Sequence, residues 1–79
     1  MSKYSDKLRR EYDKLVKYMD GLNSTDQLGL NAYEINMNQW WDELSERAKN
    51  DEEKKIIDDA KTLIRVTFER QRHGGSDGQ

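Results

Sequence analysis

The amino-acid sequence predicts an all-α fold, a small antiparallel three-helix bundle. Proline is absent, and glycine occurs only at Gly21, at Gly29 and within residues 74–79. The long segments between these breakers carry apolar residues at steps of three and four, which line one face of a helix. The connections are short, so neighbouring helices should run antiparallel. Seventy-nine residues make one domain, predicted over residues 1–73, with a disordered tail at 74–79.

The first predicted helix covers about residues 4–22. Its apolar residues recur at helical spacing: Tyr4, Leu8, Tyr12, Leu15, Met19 and Leu22. The connection that follows, residues 23–30, is rich in turn-forming residues. Leu28 and Leu30 within it indicate a segment that is held against the core.

The second predicted helix covers about residues 32–49. Asn31 followed by Glu34 matches a capping box, in which each side chain binds the other residue's free backbone amide. The helix then carries one apolar face, formed by Tyr33, Met37, Trp40, Trp41, Leu44 and Ala48. Ile35 lies off this face, so it either contacts a partner or packs against the preceding connection.

The third predicted helix covers about residues 51–72. Residues 51–53 are all acidic and occupy the first turn, where the helix dipole favours negative charge. A broad apolar face follows, made of Ile56, Ile57, Ala60, Leu63, Ile64, Thr67 and Phe68. Because Asn50 and Asp51 leave almost no loop, helices two and three either fold back as a hairpin or continue as one kinked rod that is able to dimerise. The monomeric bundle is favoured.

The composition favours a protein that gains stability from a partner. Charged residues make up 38% and hydrophobic residues 33% of the chain, at the polar end of globular proteins.

Cysteine is absent, which excludes disulfides and thiolate metal sites. The N-terminus lacks the apolar stretch of a signal peptide, and no apolar run approaches the roughly 20 residues of a membrane span. We therefore expect a cytoplasmic protein.

No catalytic, metal or cofactor site is expected. The single histidine, His73, adjoins the glycine-rich tail, where its charge would suit the end of a helix dipole better than catalysis. Glu69 and His73 have the spacing of helical metal ligands, but two ligands do not make a site. No glycine-rich phosphate loop is present. The chain is expected to be non-enzymatic.

The Trp40-Trp41 pair is the first candidate binding surface. Adjacent helical residues point about 100° apart, so the two rings cannot be equally central to one core. Either one ring anchors the core and the other covers its edge, or one is an exposed anchor for a partner, a role in which tryptophan is enriched. Ile35, Tyr18 and Val66 also lie off the main apolar stripes and would extend such a patch.

A basic line along the first helix is the second candidate surface. Its members fall within an arc of about 80°: Lys3, Lys7, Arg10, Lys14 and Lys17. Such a line is suited to an acidic protein or a phosphate backbone. The simpler interpretation is a solvated face whose charges pair with Asp6, Asp13 and Asp20. These aspartates would repel phosphates, which places an acidic protein ahead of nucleic acid. The acidic start of the third helix also argues against a helix-turn-helix.

The leading functional hypothesis is a helical adaptor or inhibitor that binds a cytoplasmic protein. Compact proteins of this size are common in phages and mobile elements, which is an argument from size alone. The second hypothesis is a nucleic-acid-binding regulator that uses the basic line. The third is a structural homo-oligomer, for example a dimer through helices two and three.

Overall fold

A computed structural model of the chain, in which residues 3–22 and 27–73 are described, contains three α-helices. They are α1 (Lys3–Gly21), α2 (Gln27–Ser45) and α3 (Asp51–Arg72). The predicted all-α bundle is confirmed. The bounds of α1 and α3 agree with the sequence prediction to within one residue. The tail at 74–79 lies outside the described residues.

The helices run up, down and up. At one end of the bundle, the Tyr4 hydroxyl near the start of α1 donates to the carbonyl of Leu44 near the end of α2. At the other end, the side-chain amide of Gln71 on α3 donates to the carbonyl of Leu22, just after α1, at 3.1 Å. Accordingly α1 and α3 are parallel, and α2 is antiparallel to both. Helices α2 and α3 form a hairpin rather than one kinked rod.

Helix α3 holds the bundle together. It packs closely against both α1 and α2, whereas the backbones of α1 and α2 approach each other much less. The buried apolar side chains come from all three helices: Leu8, Leu15 and Met19 of α1, Leu30, Trp41 and Leu44 of α2, and Ile57, Ala60, Ile64 and Phe68 of α3. The molecule is correspondingly elongated, with extents of 43 × 21 × 16 Å.

The predicted start of α2 at residue 32 is wrong, because the helix begins at Gln27. Asn31 is a helical residue, and its side-chain oxygen accepts a hydrogen bond from Arg72 at 2.9 Å. The extension places Leu30 on the core face, where it is completely buried. Burying a leucine stabilises by about 1.5–3 kcal/mol, which exceeds the cost of about 1 kcal/mol for Gly29 inside a helix. Leu28 is 81% exposed, so the expectation that it contacts the core is also wrong.

The predicted end of α2 near residue 49 is also wrong, because the helix ends at Ser45. Three backbone N–H groups, those of residues 46–48, donate to carbonyls three residues earlier at 3.1–3.2 Å and tighten the last turn. Asn50 then caps α3: its side chain accepts from the Glu53 amide at 2.8 Å, and the Glu53 carboxylate accepts from the Lys49 amide at 2.7 Å. Residues 46–50 thus reverse the chain.

Polar groups are buried at this same end of the bundle. Ser5 and Glu53 are both shielded from solvent, close to the ring of Tyr4. Burial raises the pKa of the Tyr4 hydroxyl above its ordinary value; the positive charge of Arg47 opposes this change, and Glu53 adds to it. Within the described residues, no buried side-chain nitrogen or oxygen lacks a hydrogen-bond partner. The end of the bundle is therefore a satisfied polar junction.

Replacing the cap residue should destabilise the whole bundle. Asn50→Ala removes the acceptor for the Glu53 amide, at an expected cost of about 1 kcal/mol. In a domain of this size, that cost lowers the melting temperature by about 4–8 °C. Thermal unfolding followed by circular dichroism measures the change. Asn36→Ala makes the same chemical change inside an exposed part of α2 and should not lower the melting temperature. Equal melting temperatures for the two variants would contradict this role of Asn50.

Stability should fall as the pH rises above 10.0, the ordinary pKa of a tyrosine hydroxyl. The pKa of Tyr4 is raised in the folded state, so the folded protein keeps a proton that the unfolded chain has already lost. Ionisation therefore favours unfolding, and stability is unaffected by this group below that pH. Denaturant unfolding about one pH unit below and above 10.0 measures the fall. Tyr4→Phe should be less stable at both pH values and should show a smaller fall; an equal fall would overturn the assignment.

Candidate functional site

The two neighbouring tryptophans occupy different environments. Trp41 is 2% exposed and belongs to the core, whereas Trp40 is 46% exposed. The separation follows from the rotation of about 100° between adjacent helical residues. Trp41 faces the middle of the bundle, and this rotation turns Trp40 toward the side on which α1 lies. The structure therefore identifies Trp40 as the exposed member of the pair.

An open groove lies between α1 and α2. Its volume is about 330 Å³, and its lining comes from both helices: Glu11, Lys14, Leu15 and Tyr18 of α1, and Asn36, Met37, Trp40 and Trp41 of α2. The lining surface is mainly apolar. The groove exists because α1 and α2 approach each other less closely than either approaches α3.

Two contacts join α1 and α2, one toward each end of the bundle. At one end, the Tyr4 hydroxyl is bonded to the Leu44 carbonyl. At the other end, the rings of Tyr18 and Tyr33 meet edge to face, with centroids 6.4 Å apart and an interplanar angle of 84°. Edge-to-face pairs of this kind contribute about 0.5–1.5 kcal/mol beyond the area that they bury. Between these contacts the floor is formed by core residues, and the mouth is open to solvent.

Parts of both surfaces that the sequence suggested meet in the groove. Trp40, Trp41 and Tyr18 line it together with Lys14 of the basic line. Ile35 does not join them, because it lies about 140° around α2 from Trp40. It is 58% exposed on the outer side of α2. Val66 lies on α3, half-buried and outside the groove lining.

The outer side of α2 carries a second exposed apolar strip. Leu28, Ala32 and Ile35 are all exposed, and their spacing of four and three residues places them on one face. Glu34 is the only charged residue between residues 27 and 41. Its carboxylate forms an ion pair with Arg72 of α3. This stretch of α2 therefore presents a surface without a free charge, a signal already visible in the sequence as a run of uncharged residues.

The basic line on α1 is exposed along its whole length. Lys14 pairs with Glu11 at 3.7 Å. Within residues 3–22 and 27–73, the other four members form no ion pair: Lys3, Lys7, Arg10 and Lys17. The nearby acid Asp6 pairs instead with Arg9, at 3.7 Å, and Arg9 also contacts Glu52 of α3. The expected pairing of the line with its neighbouring aspartates is therefore not formed, and the line keeps free positive charge.

Two other surface depressions among the described residues have mixed charge. One, of about 180 Å³, lies between α1 and α3 and includes Arg9, Asp13 and Asp59. Another, of about 540 Å³, lies between α2 and α3 and includes Asp58 and Lys61. In the described part of the chain, no three His, Cys, Asp or Glu side chains converge as metal ligands. Nor does any described helix combine the length and apolar character required to cross a bilayer.

Comparison of the chain with protein-family models, with curated proteins and with solved structures gave no significant match. The interpretation of the groove therefore depends on its own chemistry.

The two tryptophans should be distinguishable by fluorescence. With Trp41→Phe, emission comes from half-exposed Trp40 and should lie at long wavelength and be quenched readily by iodide. With Trp40→Phe, emission comes from buried Trp41 and should lie at shorter wavelength and resist quenching. Circular dichroism confirms that each variant is folded. Equal quenching of the two folded variants would contradict the assignment.

Proposed function

We propose that this chain is a non-enzymatic protein-binding module, an adaptor or inhibitor that binds its partner through the uncharged surface of α2 and the adjoining groove. The cytoplasmic location of that partner and an origin in a phage or mobile element belong to the proposal. They rest on the composition and the size of the chain.

The observation that carries the proposal is the exposed apolar and aromatic surface around α2. The large hydrophobic side chains exposed on the described surface all lie on α2 or beside it: Tyr18, Leu28, Tyr33, Ile35 and Trp40. They form two groups, Tyr18, Tyr33 and Trp40 on the groove side of α2 and Leu28 and Ile35 on its outer side, and exposed apolar groups of this kind mark interaction sites in soluble domains. Tryptophan and tyrosine are also the residues that most often carry binding energy at protein interfaces.

The contrast in charge supports the same surface. Charged residues make up 38% of the chain, yet the only charge between residues 27 and 41 is Glu34, and Arg72 neutralises it. Charged residues are depleted at the centres of protein interfaces because their desolvation is costly. Residues 27–41 of α2 have the composition of such a centre.

Substituting Trp40 should abolish partner binding and leave the fold intact. Affinity capture with the full chain, quantified by mass spectrometry, compares wild type with Trp40→Ala. Proteins retained by wild type should be lost by the variant, because a central aromatic anchor contributes 2 kcal/mol or more, a change of about thirtyfold. Thr62→Ala, an exposed and charge-neutral substitution on α3, should retain them. No retained protein, or equal retention by Trp40→Ala, contradicts the proposal.

The stability of the variants separates binding from folding. Trp40→Ala removes a half-exposed ring and should cost about 1 kcal/mol or less. Trp41→Ala removes a core side chain and should cost about 3–5 kcal/mol. Only the first is therefore a suitable binding variant, and denaturant unfolding of both provides the check.

Nucleic-acid binding is the second candidate, favoured by the unpaired members of the basic line. Against it stand the net charge of −2 and the aspartates that adjoin the line. A titration with duplex DNA at rising salt distinguishes the two functions. If the basic line binds DNA, the logarithm of the association constant should fall linearly with the logarithm of the salt concentration. Binding should also be lost with Lys7→Glu. No binding at low salt removes this candidate.

Sedimentation of the free chain over a range of concentrations tests the third candidate function, a structural homo-oligomer.

A further inference from the structure

We infer that the groove between α1 and α2 receives one face of an acidic amphipathic helix from the partner protein, which would lie alongside both helices as a fourth. This inference rests on the proposed function and specifies the partner segment that the module recognises. Four features of the groove carry it: its shape, its lining, its positively charged α1 edge and its α2 edge, which has no cation.

The shape of the groove fits a helix. It runs between two antiparallel helices that the Tyr4–Leu44 and Tyr18–Tyr33 contacts join. From Glu11 to Tyr18, the α1 wall is about 10 Å long at 1.5 Å per residue, which is two helical turns. A helix over two turns presents apolar residues at spacings of three, four and seven, the usual pattern of helix-in-groove recognition. The described chain has no strand to which an extended peptide would add.

The lining provides sites for apolar side chains of that helix. Leu15, Met37 and buried Trp41 belong to the core or pack against it, so the floor is firmly held. Trp40 and Tyr18 stand at the mouth with close to half of their surfaces exposed. Docking would remove this aromatic surface from water without any rearrangement of the core. Little binding free energy would therefore be lost in ordering side chains of the groove.

The α1 edge of the groove requires an acidic occupant. On a helical projection, Lys7 and Lys14 lie on the groove side of the basic line, two turns apart. Glu11 also lines the groove, but its charge is offset by Lys14 at 3.7 Å. Lys7, Arg10 and Lys17 form no ion pair within the described residues. An acidic side chain on the docked helix would face unpaired Lys7, and a second, seven residues away, would share Lys14 with Glu11.

The α2 edge of the groove differs from the α1 edge. Asn36, on the groove wall, is uncharged, and the first free charge along this edge is acidic Glu43. An acid on this side of the partner helix would find no cation, and beside Glu43 it would be repelled. The occupant is therefore asymmetric, with acidic residues on the edge above α1 and uncharged or basic residues on the edge above α2.

A displayed library of random sixteen-residue peptides tests the chemistry without assuming a partner. Selection on the wild-type chain, with counter-selection on Trp40→Ala, isolates peptides that use the groove. Enriched sequences should carry apolar residues at helical spacing and acidic residues along one edge. Trp40-dependent enrichment of proline-rich, extended or basic peptides overturns this inference and leaves the proposed function standing. No Trp40-dependent enrichment counts against both.

Charge reversal tests the basic edge directly. The probe is a synthetic peptide with leucines at helical spacing and glutamates seven apart on one edge. It is titrated into the wild-type chain and followed by the change in tryptophan fluorescence. The double variant Lys7→Glu, Lys14→Glu should weaken binding at least about tenfold. The matched control Lys54→Glu, Lys55→Glu changes the net charge equally on α3 and should alter it less than about threefold.

Other outcomes of these binding experiments would overturn the inference. Equal losses in the two double variants would show that net charge, rather than this edge, attracts the peptide. Equal binding of a peptide with lysines in place of the glutamates would remove the acidic requirement. Equal binding of an acidic peptide with its leucines scrambled would remove the helical requirement. Tighter binding of duplex DNA than of any peptide, with the same dependence on Lys7 and Lys14, would assign the edge to phosphates instead.

Discussion

Helix α3 packs against both other helices through one buried face, formed by Ile57, Ala60, Ile64 and Phe68. The packing is centred on α3, and α1 and α2 approach each other less closely. The Tyr4–Leu44 hydrogen bond and the Tyr18–Tyr33 ring pair join α1 to α2 directly. The space left between these contacts is the groove. The candidate site is thus a direct result of how the core is distributed.

The sequence predicted the fold class and α3 well because several independent signals agree there. An acidic first turn, a continuous apolar face and cationic residues at the end all point to the same bounds, 51–72. The two ends of α2 were misplaced for different reasons. At its end, Ala48 continues the apolar face of α2, although residues 46–50 reverse the chain. At its start, the choice of cap was ambiguous. The pattern Asn-x-x-Glu occurs both at Asn31 and at Asn50, and local sequence does not show which copy caps a helix. The structure uses the second, since Leu30 is required in the core and Arg72 engages Asn31.

The candidate site was only partly predictable. Periodicity shows that Trp40 and Trp41 diverge, but which ring is buried depends on where α3 lies. The meeting of Tyr18 with Tyr33, and of Lys14 with the tryptophans, joins residues that are far apart in sequence. Such pairs follow from the angle between helices, which local patterns do not specify. The uncharged stretch of α2 was visible in the sequence, and its significance becomes clear once Arg72 is seen to neutralise Glu34.

The two adjacent tryptophans are subject to different constraints. Trp41 is held by the core, so nearly every substitution there would lower stability. Trp40 is half-exposed and lines the groove, so its replacement leaves most of the core packing in place. Under the proposed function, position 40 is therefore free to diverge under selection for a new partner. A lineage carrying this bundle would be able to alter its specificity at one residue without first acquiring extra stability elsewhere.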